Sequence, residues 1–233
     1  MTLFAPIGIV VALEPERRTL ARLEGALIEL SGPGPGRATV AAERLLVRGA
    51  KALLAWGTAG ALVPELPAGA LLVASRATLE ANADTHAPAS AFADAIATAC
   101  SSASPLRGAV CSVSEPACQR KGKEALHRAT GASVVDMESA AVAAVALRAG
   151  LPFAALRAVV DPLAFEIPPA ALAGMREDGQ SSVWPVVAAL LRDPAQLATL
   201  CRLGLHFRRA LRSLETIASL LARPSALSTG SRP

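Results

Sequence analysis

Residues 133–161 read SVVDMESAAVAAVALRAGLPFAALRAVVD, and this stretch decides the fold class. Its first five residues predict a short buried strand, and the alanine-rich part that follows predicts a helix. Gly150 and Pro152 come where this helix should stop, in the order that helix C-termini favour. The eight residues before Asp161 predict a second buried strand. A strand, a helix and a strand in succession indicate an α/β protein with a largely parallel sheet.

The same alternation of strands and helices continues on both sides of this stretch. Strands are predicted at residues 6–13, 26–30, 52–56, 71–79 and 107–114, and helices from residue 14 to Gly25 and at 38–48, 90–100 and 116–130. The segment Gly-Thr-Ala-Gly at 57–60 is predicted to be a glycine turn after the third strand. Ligands of such sheets bind beyond the carboxyl ends of the strands, where this turn, Glu16, Glu138 and Asp161 are expected.

The composition is apolar but predicts no membrane span. Hydrophobic residues make up 52% of the 233 residues, and the mean hydropathy is +0.42. Every uninterrupted apolar run nevertheless falls short of the roughly 20 residues that a spanning helix needs. The first residues lack the basic start of a secretion signal, so a cytoplasmic location is predicted. The cysteines and histidines lack the spacing of metal ligands, so no metal is predicted. A GxGxxG dinucleotide site is also absent, and no resident cofactor is predicted.

The positive charge is concentrated in the last part of the chain. Residues 1–191 contain 16 Lys and Arg against 17 Asp and Glu, whereas residues 192–233 contain seven against two. We predict one domain over residues 1–190, a basic amphipathic helical tail over 191–222 and a disordered end over 223–233.

The tail helix has two interpretations. Apolar residues recur at helical spacing, with arginines around them: Leu197, Leu200, Leu203, Phe207, Leu211, Leu214 and Ile217, and Arg202, Arg208, Arg209 and Arg212. In the commoner case such a helix packs on its own domain or joins two copies of the chain. In the other case it lies on an anionic membrane surface, which would place the protein at the periphery of the inner membrane.

Buried carboxylates are the strongest functional signal. Asp136 and Glu138 interrupt the most apolar segment of the chain, and burying a charge is costly unless it has a partner or a function. Each acid also has a structural alternative. Glu138 and Glu16 could stabilise helix N-termini through the helix dipole, and Asp161 could cap a turn. Taken singly, these residues leave both interpretations open.

Five motifs in a fixed order favour the functional interpretation. They are IGIVVALEPE at 7–16, GPGPGRATVAA at 32–42, WGTAGAL at 56–62, VVDMESAAVA at 134–143 and ALRAVVDP at 155–162. In this order they resemble the purine and uridine phosphorylase superfamily, and in particular its methylthioadenosine/S-adenosylhomocysteine nucleosidase branch. The resemblance covers most of residues 1–165. It implies a three-layer αβα sandwich around a central mixed, mostly parallel sheet that curls into a partial barrel.

The resemblance implies cleavage of an N-glycosidic bond, which passes through a ribosyl cation and expels a poor leaving group. Asp161 would give a proton to N7 of the purine, a role that a raised pKa in a dry pocket suits. Glu138 would accept hydrogen bonds from the ribose hydroxyls, and Glu16 would position and deprotonate the attacking water. Asp136 is expected to be structural.

Further site residues follow from the same resemblance. Met137 would pack on the sugar, and backbone groups of Thr58, Ala59 and Gly60 would line the sugar and the base. The chain departs from the family at Val160, where the family usually has a serine that helps to orient the aspartate. The acid that follows it is therefore expected to be held in a different way.

The nucleophile is either water or phosphate. A phosphate site needs a cationic cradle, for which Arg17, Arg18 and Arg37 are the candidates. Arg37, beside the glycine-rich loop, either binds phosphate as a co-substrate or is simply solvated, and Arg157 could be buried and paired in the core. Glu16 would repel phosphate, so hydrolysis is preferred.

The ending of the chain and its alanine-rich body also resemble the hopanoid-associated phosphorylases. This resemblance implies a lipid-linked nucleoside in hopanoid biosynthesis: adenosylhopane would be cleaved to adenine and ribosylhopane or its phosphate. The alternatives are methylthioadenosine or S-adenosylhomocysteine as substrate, and a non-catalytic module that binds a nucleoside or a lipid. Family members are commonly dimers or larger, so a homo-oligomer is predicted. No nucleic-acid partner is expected, because only 3% of the residues are aromatic and the positive charge is confined to the tail.

Overall fold

The computed structural model describes residues 4–79, 91–173, 189–190 and 192–222, in which strands and helices alternate as predicted. The strands are β1 (Ile7–Val11), β2 (Leu27–Leu30), β3 (Ala52–Ala61), β4 (Leu71–Leu79), β5 (Leu106–Ser112), β6 (Val134–Asp136) and β7 (Phe153–Asp161). The helices are α1 (Glu14–Thr19), α2 (Pro35–Val47), α3 (Ala91–Ala99), α4 (Arg120–Thr130), α5 (Ser139–Arg148), α6 (Pro169–Ala173) and α7 (Gln196–Leu221), with a 3₁₀ turn at Ser101–Ala103.

The described strands form one mixed sheet that closes on itself. The order is β2-β1-β3-β6-β5-β4-β7, and β7 also pairs with β3, so the last five strands of this order make a small barrel from which β1 and β2 extend. Strands β1, β2, β3 and β7 run in one direction, and β4, β5 and β6 run in the other. Among these pairings only β3 with β6 and β4 with β7 are antiparallel. The prediction of a mixed, mostly parallel sheet is thus confirmed.

Helices cover both faces of the sheet. Helices α2 and α5 pack on one face, where Ala42, Leu45 and Val142 are fully buried in one core cluster. Helices α3 and α7 pack on the other face, where Phe92 and Leu214 are fully buried in a second cluster. Burying a large apolar side chain contributes roughly 1.5–3 kcal/mol, so these two clusters hold the three layers together. The predicted α/β fold class is confirmed.

The Gly-Thr-Ala-Gly segment at 57–60 is not a turn, and that prediction was wrong. It belongs to the second half of β3, which pairs in parallel with β7. A Cβ on Gly57 would lie 2.7 Å from Glu16 Oε2, and a Cβ on Gly60 would lie 2.7 Å from Asp161 Oδ2. Glycine is needed here because two carboxylates approach the strand so closely that a side chain would clash with them. Turns also favour glycine, which is why the sequence pattern resembled a turn.

Helix α1 is shorter than predicted, since it ends at Thr19 and not at Gly25. The Thr19 hydroxyl donates to the carbonyl oxygen of Glu16 at 2.6 Å and accepts from Trp56 Nε1 at 3.0 Å. Because the side chain takes the carbonyl that would continue the helix, the chain tightens into turns closed by i→i−3 hydrogen bonds. This turn also anchors the segment that carries Glu16 to the buried Trp56 of β3.

Helix α7 packs on the domain through its second half. Leu214 and Ile217 are fully buried in the cluster that α7 shares with α3 and the sheet. In the first half, Leu197 and Leu205 are 53% and 56% exposed. The packing interpretation therefore holds for the second half of the tail helix. The first half contacts the segment after β7, where Arg202 and His206 lie against the Phe165 ring, and leaves Leu197 and Leu205 at the surface.

The predicted division of the chain into a domain over 1–190 and a tail over 191–222 stays a prediction. The end that is predicted to be disordered, 223–233, lies outside the described residues. In the part of the chain that the structure describes, no helix is both long enough and apolar enough to cross a bilayer.

We expect Leu214→Ala to destabilise the protein by about 2–5 kcal/mol, because it opens a cavity between α7 and the sheet. Urea unfolding followed by circular dichroism measures this change. Leu205→Ala on the same helix is the matched control, and since its side chain is largely exposed it should change stability by less than about 0.5 kcal/mol. Equal effects of the two substitutions would show that α7 does not pack through Leu214.

Candidate active site

The candidate site is built along the second half of β3. Glu16 reaches this strand at Gly57 and Thr58, and Asp161 reaches it at Gly60. Three residues of extended chain span about 10 Å, which is the size of a nucleoside. Strand β6 is short and runs against β3, and its register pairs Val135 with Gly60. The carboxyl end of β6 therefore lies beside the last third of β3. The sequence had instead placed Glu138 beyond the carboxyl ends of the strands, together with the glycine segment that follows residue 56.

Glu16 is buried at the start of α1 and is held by donors from two elements. Its Oε1 accepts from the backbone N–H and the hydroxyl of Thr58, both at 2.8 Å, and its Oε2 accepts from the N–H of Leu13 at 3.1 Å. Burial raises the pKa of Glu16, against the opposing effects of Arg157 and these hydrogen bonds. A fixed carboxylate with a raised pKa is suited to accept a proton.

Arg157 of β7 lies under the site and is almost fully buried. Its register partner is Gly57, where the missing side chain leaves room for the guanidinium: a Cβ there would lie 2.8 Å from Nη1. Nη2 is 2.5 Å from Asp136 Oδ2 and 3.9 Å from Glu138 Oε2. The expectation that Arg157 is buried and paired is therefore met, and its charge offsets the acids around it.

Asp136 has structural partners, as predicted. Its carboxylate accepts from the N–H groups of Glu138 and Ser139 at 3.2–3.3 Å, and from the Ser112 hydroxyl at 2.5 Å. These hydrogen bonds satisfy the free amides at the beginning of α5 and link β6 to β5. Together with the ion pair to Arg157, they explain why a carboxylate is tolerated in so apolar a segment.

Glu138, at the N-cap of α5, carries the more unusual charge. Its Oε1 accepts from the N–H of Gly34 at 2.9 Å, so the glycine-rich loop between β2 and α2 closes onto the site. Burial and the nearby Asp136 raise the pKa of Glu138 to about 7, although Arg157 opposes this shift. An acid this close to its titration point can change its hydrogen bonding as charge develops on a ligand.

Asp161, the last residue of β7, is buried and paired with a lysine that sequence reasoning missed. Lys123 Nζ of α4 lies 2.6 Å from Asp161 Oδ2, and the lysine side chain is completely buried. Burial raises the pKa of Asp161, and Lys123 opposes that rise. One signal was present in the sequence: Lys123 lies three residues before Leu126, the buried apolar residue of α4, and thus on the same face of the helix.

The remaining predicted site residues differ in their positions. Ala59 is buried within β3, and Met137 is half-buried against the small core cluster near α4. Arg37 is exposed at the first turn of α2 and donates to the carbonyl oxygen of Pro33 at 3.1 Å. The structure thus brings Glu16 and Asp161 to Thr58 and Gly60 of β3, and Glu138 joins them through Arg157. The assignment of these residues to catalysis and binding stays a prediction.

The other two arginine candidates for a phosphate cradle point to the surface. Arg17 and Arg18 both pair with Glu14, and their side chains are 50% and 76% exposed. The hydrogen bonds from these arginines lower the pKa of Glu14 to about 2. Both arginines therefore pair with Glu14 on the outer side of α1, and not with Glu16.

A hollow of about 380 Å³ lies elsewhere, between the β3–β4 connection and α7. Its walls include Glu65, Gly69 and Ser213, and none of the predicted site residues. The chemistry of the candidate site therefore rests on its buried charges along β3 and not on this hollow.

Comparisons with known proteins agree with this fold. A family model described as the phosphorylase superfamily matches residues 16–188. A search of curated proteins found no significant match. The chain is similar to the structure of futalosine hydrolase of Helicobacter pylori strain 26695, with 17% identity and a TM-score of 0.68 over 92% of this chain and 96% of that one.

Two nucleosidase structures with bound ligands are similar as well. One is 5′-methylthioadenosine/S-adenosylhomocysteine nucleosidase from Helicobacter pylori with butyl-thio-DADMe-Immucillin-A, with 19% identity and a TM-score of 0.66 over 94% of this chain and 97% of that one. The other is the Neisseria meningitidis enzyme of the same name in complex with methylthio-immucillin-A, with 16% identity and a TM-score of 0.67 over 93% and 98%. At these identities the likeness concerns the fold.

The raised pKa of Glu138 predicts how stability depends on pH. Its carboxyl group ionises near pH 7 when folded but near its ordinary 4.5 when unfolded. The stability that the protonated form provides is complete below pH 4.5 and is lost as the pH rises toward 7. Glu138→Gln removes this titration, so the stability of the variant relative to the parent should rise by up to about 3 kcal/mol between pH 4.5 and 7.

Urea unfolding at a series of pH values measures this difference. Glu124→Gln on the exposed side of α4 is the control, and its stability should stay parallel to that of the parent across the range. A Glu138→Gln curve that is also parallel to the parent would show that Glu138 ionises at its ordinary pKa.

Proposed function

The chain belongs to the phosphorylase superfamily, and from this premise we propose that it cleaves the N-glycosidic bond of a purine nucleoside with water as the nucleophile. The observation that carries the proposal is the gathering of three buried carboxylates: Glu16 and Asp161 approach β3 directly, and Glu138 lies 3.9 Å from Arg157 on the neighbouring β7. Buried acids with raised pKa values in one place supply both a proton donor and a proton acceptor.

In the proposed reaction the bond between C1′ of the ribose and N9 of the purine breaks, and its electron pair stays on the base. Asp161 gives its proton to N7, so the base leaves as a neutral molecule. The water oxygen forms a bond to C1′ while Glu16 takes one of the water protons. The two carboxyl groups then return to their starting states by exchanging protons with solvent, and one water is consumed.

Glu138 has a separate role in this scheme. Positive charge develops on the ribose as the bond breaks, and a carboxylate that accepts hydrogen bonds from the ribose hydroxyls stabilises it. The link to Gly34 supports this role, because it places Glu138 under the glycine-rich loop that would close over the sugar. Met137, the next residue along the chain, would pack on the sugar.

Water is favoured over phosphate by the surroundings of the glycine-rich loop. The N–H of Gly34, a group that could bind a phosphate oxygen, donates to a carboxylate instead. Arg37 lies exposed beside the carbonyl of Pro33, and Arg17 is paired with Glu14. A phosphate dianion in this place would face Glu16 and Glu138, whose charges repel it.

For the 5′ group we propose adenosylhopane, with methylthioadenosine or S-adenosylhomocysteine as the alternative. The support is the stretch 197–209 of α7, where exposed Leu197 and Leu205 lie among Arg202, Arg208 and Arg209. Apolar and cationic side chains on one exposed helix suit contact with an anionic bilayer that holds a lipid-linked substrate. The helix would then act at the membrane surface while its second half stays packed on the sheet.

Asp161→Asn should reduce the release of free base by roughly 10²- to 10⁴-fold, because the general acid is lost. We would measure adenine by liquid chromatography from methylthioadenosine, S-adenosylhomocysteine and detergent-dispersed adenosylhopane, each with and without phosphate. Asp94→Asn, an exposed aspartate on α3, is the matched control and should keep the parent rate. Release that requires phosphate would contradict hydrolysis, and no release from any of these nucleosides would contradict the proposed function.

The lipid-linked substrate has its own test. We expect a higher kcat/KM for adenosylhopane than for methylthioadenosine, and a further increase when adenosylhopane is presented in vesicles that contain anionic lipid. Replacing Leu197 and Leu205 together by serine should remove that increase without changing the rate on methylthioadenosine. Efficient cleavage of methylthioadenosine with no turnover of adenosylhopane would exclude the lipid-linked assignment.

A further inference from the structure

The ammonium group of Lys123 makes all of its hydrogen bonds to residues 161–165. This group lies 2.6 Å from Asp161 Oδ2, and it donates to the carbonyl oxygens of Phe165 at 3.0 Å, Pro162 at 3.2 Å and Asp161 at 3.4 Å. A completely buried ammonium is expensive unless it is fully paired, and here the pairing runs from α4 to the residues that follow β7. The proposed reaction assigns no role to this cation.

The neighbours of Asp161 offer its carboxyl group few hydrogen-bond donors. Val160 has no polar side-chain atom, and Pro162 has no backbone N–H. Gly60, on the adjacent strand, offers no side chain where the carboxylate approaches. The backbone N–H of Asp161 itself is the local donor to the carboxylate, and Lys123 adds a charged donor from elsewhere in the fold.

We propose that Lys123 is the positioning residue of the leaving-group acid: it fixes the Asp161 carboxyl group and the turn after it, and sets the pH range over which that group can give a proton. This inference rests on the proposed function, since it concerns the same proton transfer to N7. Lys123 touches neither the base nor the sugar in this scheme, and it acts through Asp161.

The charge of Lys123 determines in which direction its removal would shift the pKa of Asp161. Burial raises the pKa of Asp161 and Lys123 holds that rise down, so removing the cation should raise the pKa further. Asp161 would then stay protonated to a higher pH. The alkaline limb of the rate profile, where the acid loses its proton, should therefore move to higher pH in a variant without the ammonium.

Two other titratable groups lie near this pair. Burial and the charge of Asp161 raise the pKa of the Cys118 thiol, and Lys123 opposes that rise. The ring of His206 on α7 packs edge-on against Phe165, whose carbonyl oxygen accepts from Lys123, and burial and two arginines lower the pKa of His206. Cys118→Ser and His206→Gln should leave the alkaline limb in place. A shift seen only with the Lys123 substitution would then belong to the Lys123–Asp161 pair.

The test compares rate profiles of Lys123→Met, Asp161→Asn and the double variant with the parent, on the nucleoside that the parent cleaves best. For Lys123→Met we expect a roughly 10- to 100-fold loss of kcat, a nearly unchanged KM and an alkaline limb at higher pH. Lys121→Met, exposed on the same helix, is the matched control. In the Asp161→Asn background the Lys123 substitution should cause no further loss, because its effect passes through Asp161.

The double variant also guards against a failure to fold, since it removes both charges and leaves no unpaired ion in the core. Superimposable profiles of Lys123→Met and the parent would overturn the inference, and so would a full further loss in the double variant. If the parent cleaves nucleosides and Asp161→Asn does not, either of these two results rejects the role of Lys123 and leaves the proposed function standing. If the parent is inactive, or Asp161→Asn is fully active, the proposed function fails and the inference fails with it.

Discussion

The buried guanidinium of Arg157 is the constraint on which the rest of the site depends. It neutralises Asp136, lies within reach of Glu138 and influences Glu16, three carboxylates that could not share an apolar core without a cation among them. Gly57 leaves the space for it on β3. Because Arg157 belongs to β7 and the acids come from α1, β6 and the start of α5, this one charge also ties together segments that are far apart in the sequence.

The site contains two separate electrostatic units. Arg157 organises the acids assigned to the water and the sugar, whereas Lys123 is paired with the acid assigned to the base. Both cations are buried. Arg157 pairs with Asp136 of β6 and Lys123 pairs with Asp161 of β7, and both of these strands are neighbours of β3. Such a division lets the proton donor and the proton acceptor differ in pKa, although all three acids experience similar burial.

Much of this arrangement could be predicted from local patterns, and the rest depended on partners distant in the sequence. Glycine stops and apolar runs located most strands and helices, and the acid at the end of β7 stood out. The end of α1 could not be predicted, because it depends on the indole of Trp56. Residues 57–60 looked like a turn because close packing and chain reversal both select glycine. Lys123 looked like one more charged residue in a polar helix, since its partner lies 38 residues further along the chain.

Closure of the barrel has a consequence for association between molecules. Strand β7 returns to pair with β3, so in the described part of the chain the sheet has one open edge, the outer side of β2. That edge is four residues long, and Glu29 in its middle forms an ion pair with Arg48. A short edge with a charged residue is a poor template for a foreign strand. Addition of strands from another chain is thereby disfavoured, which leaves helix and loop surfaces as the places where copies of the protein can meet.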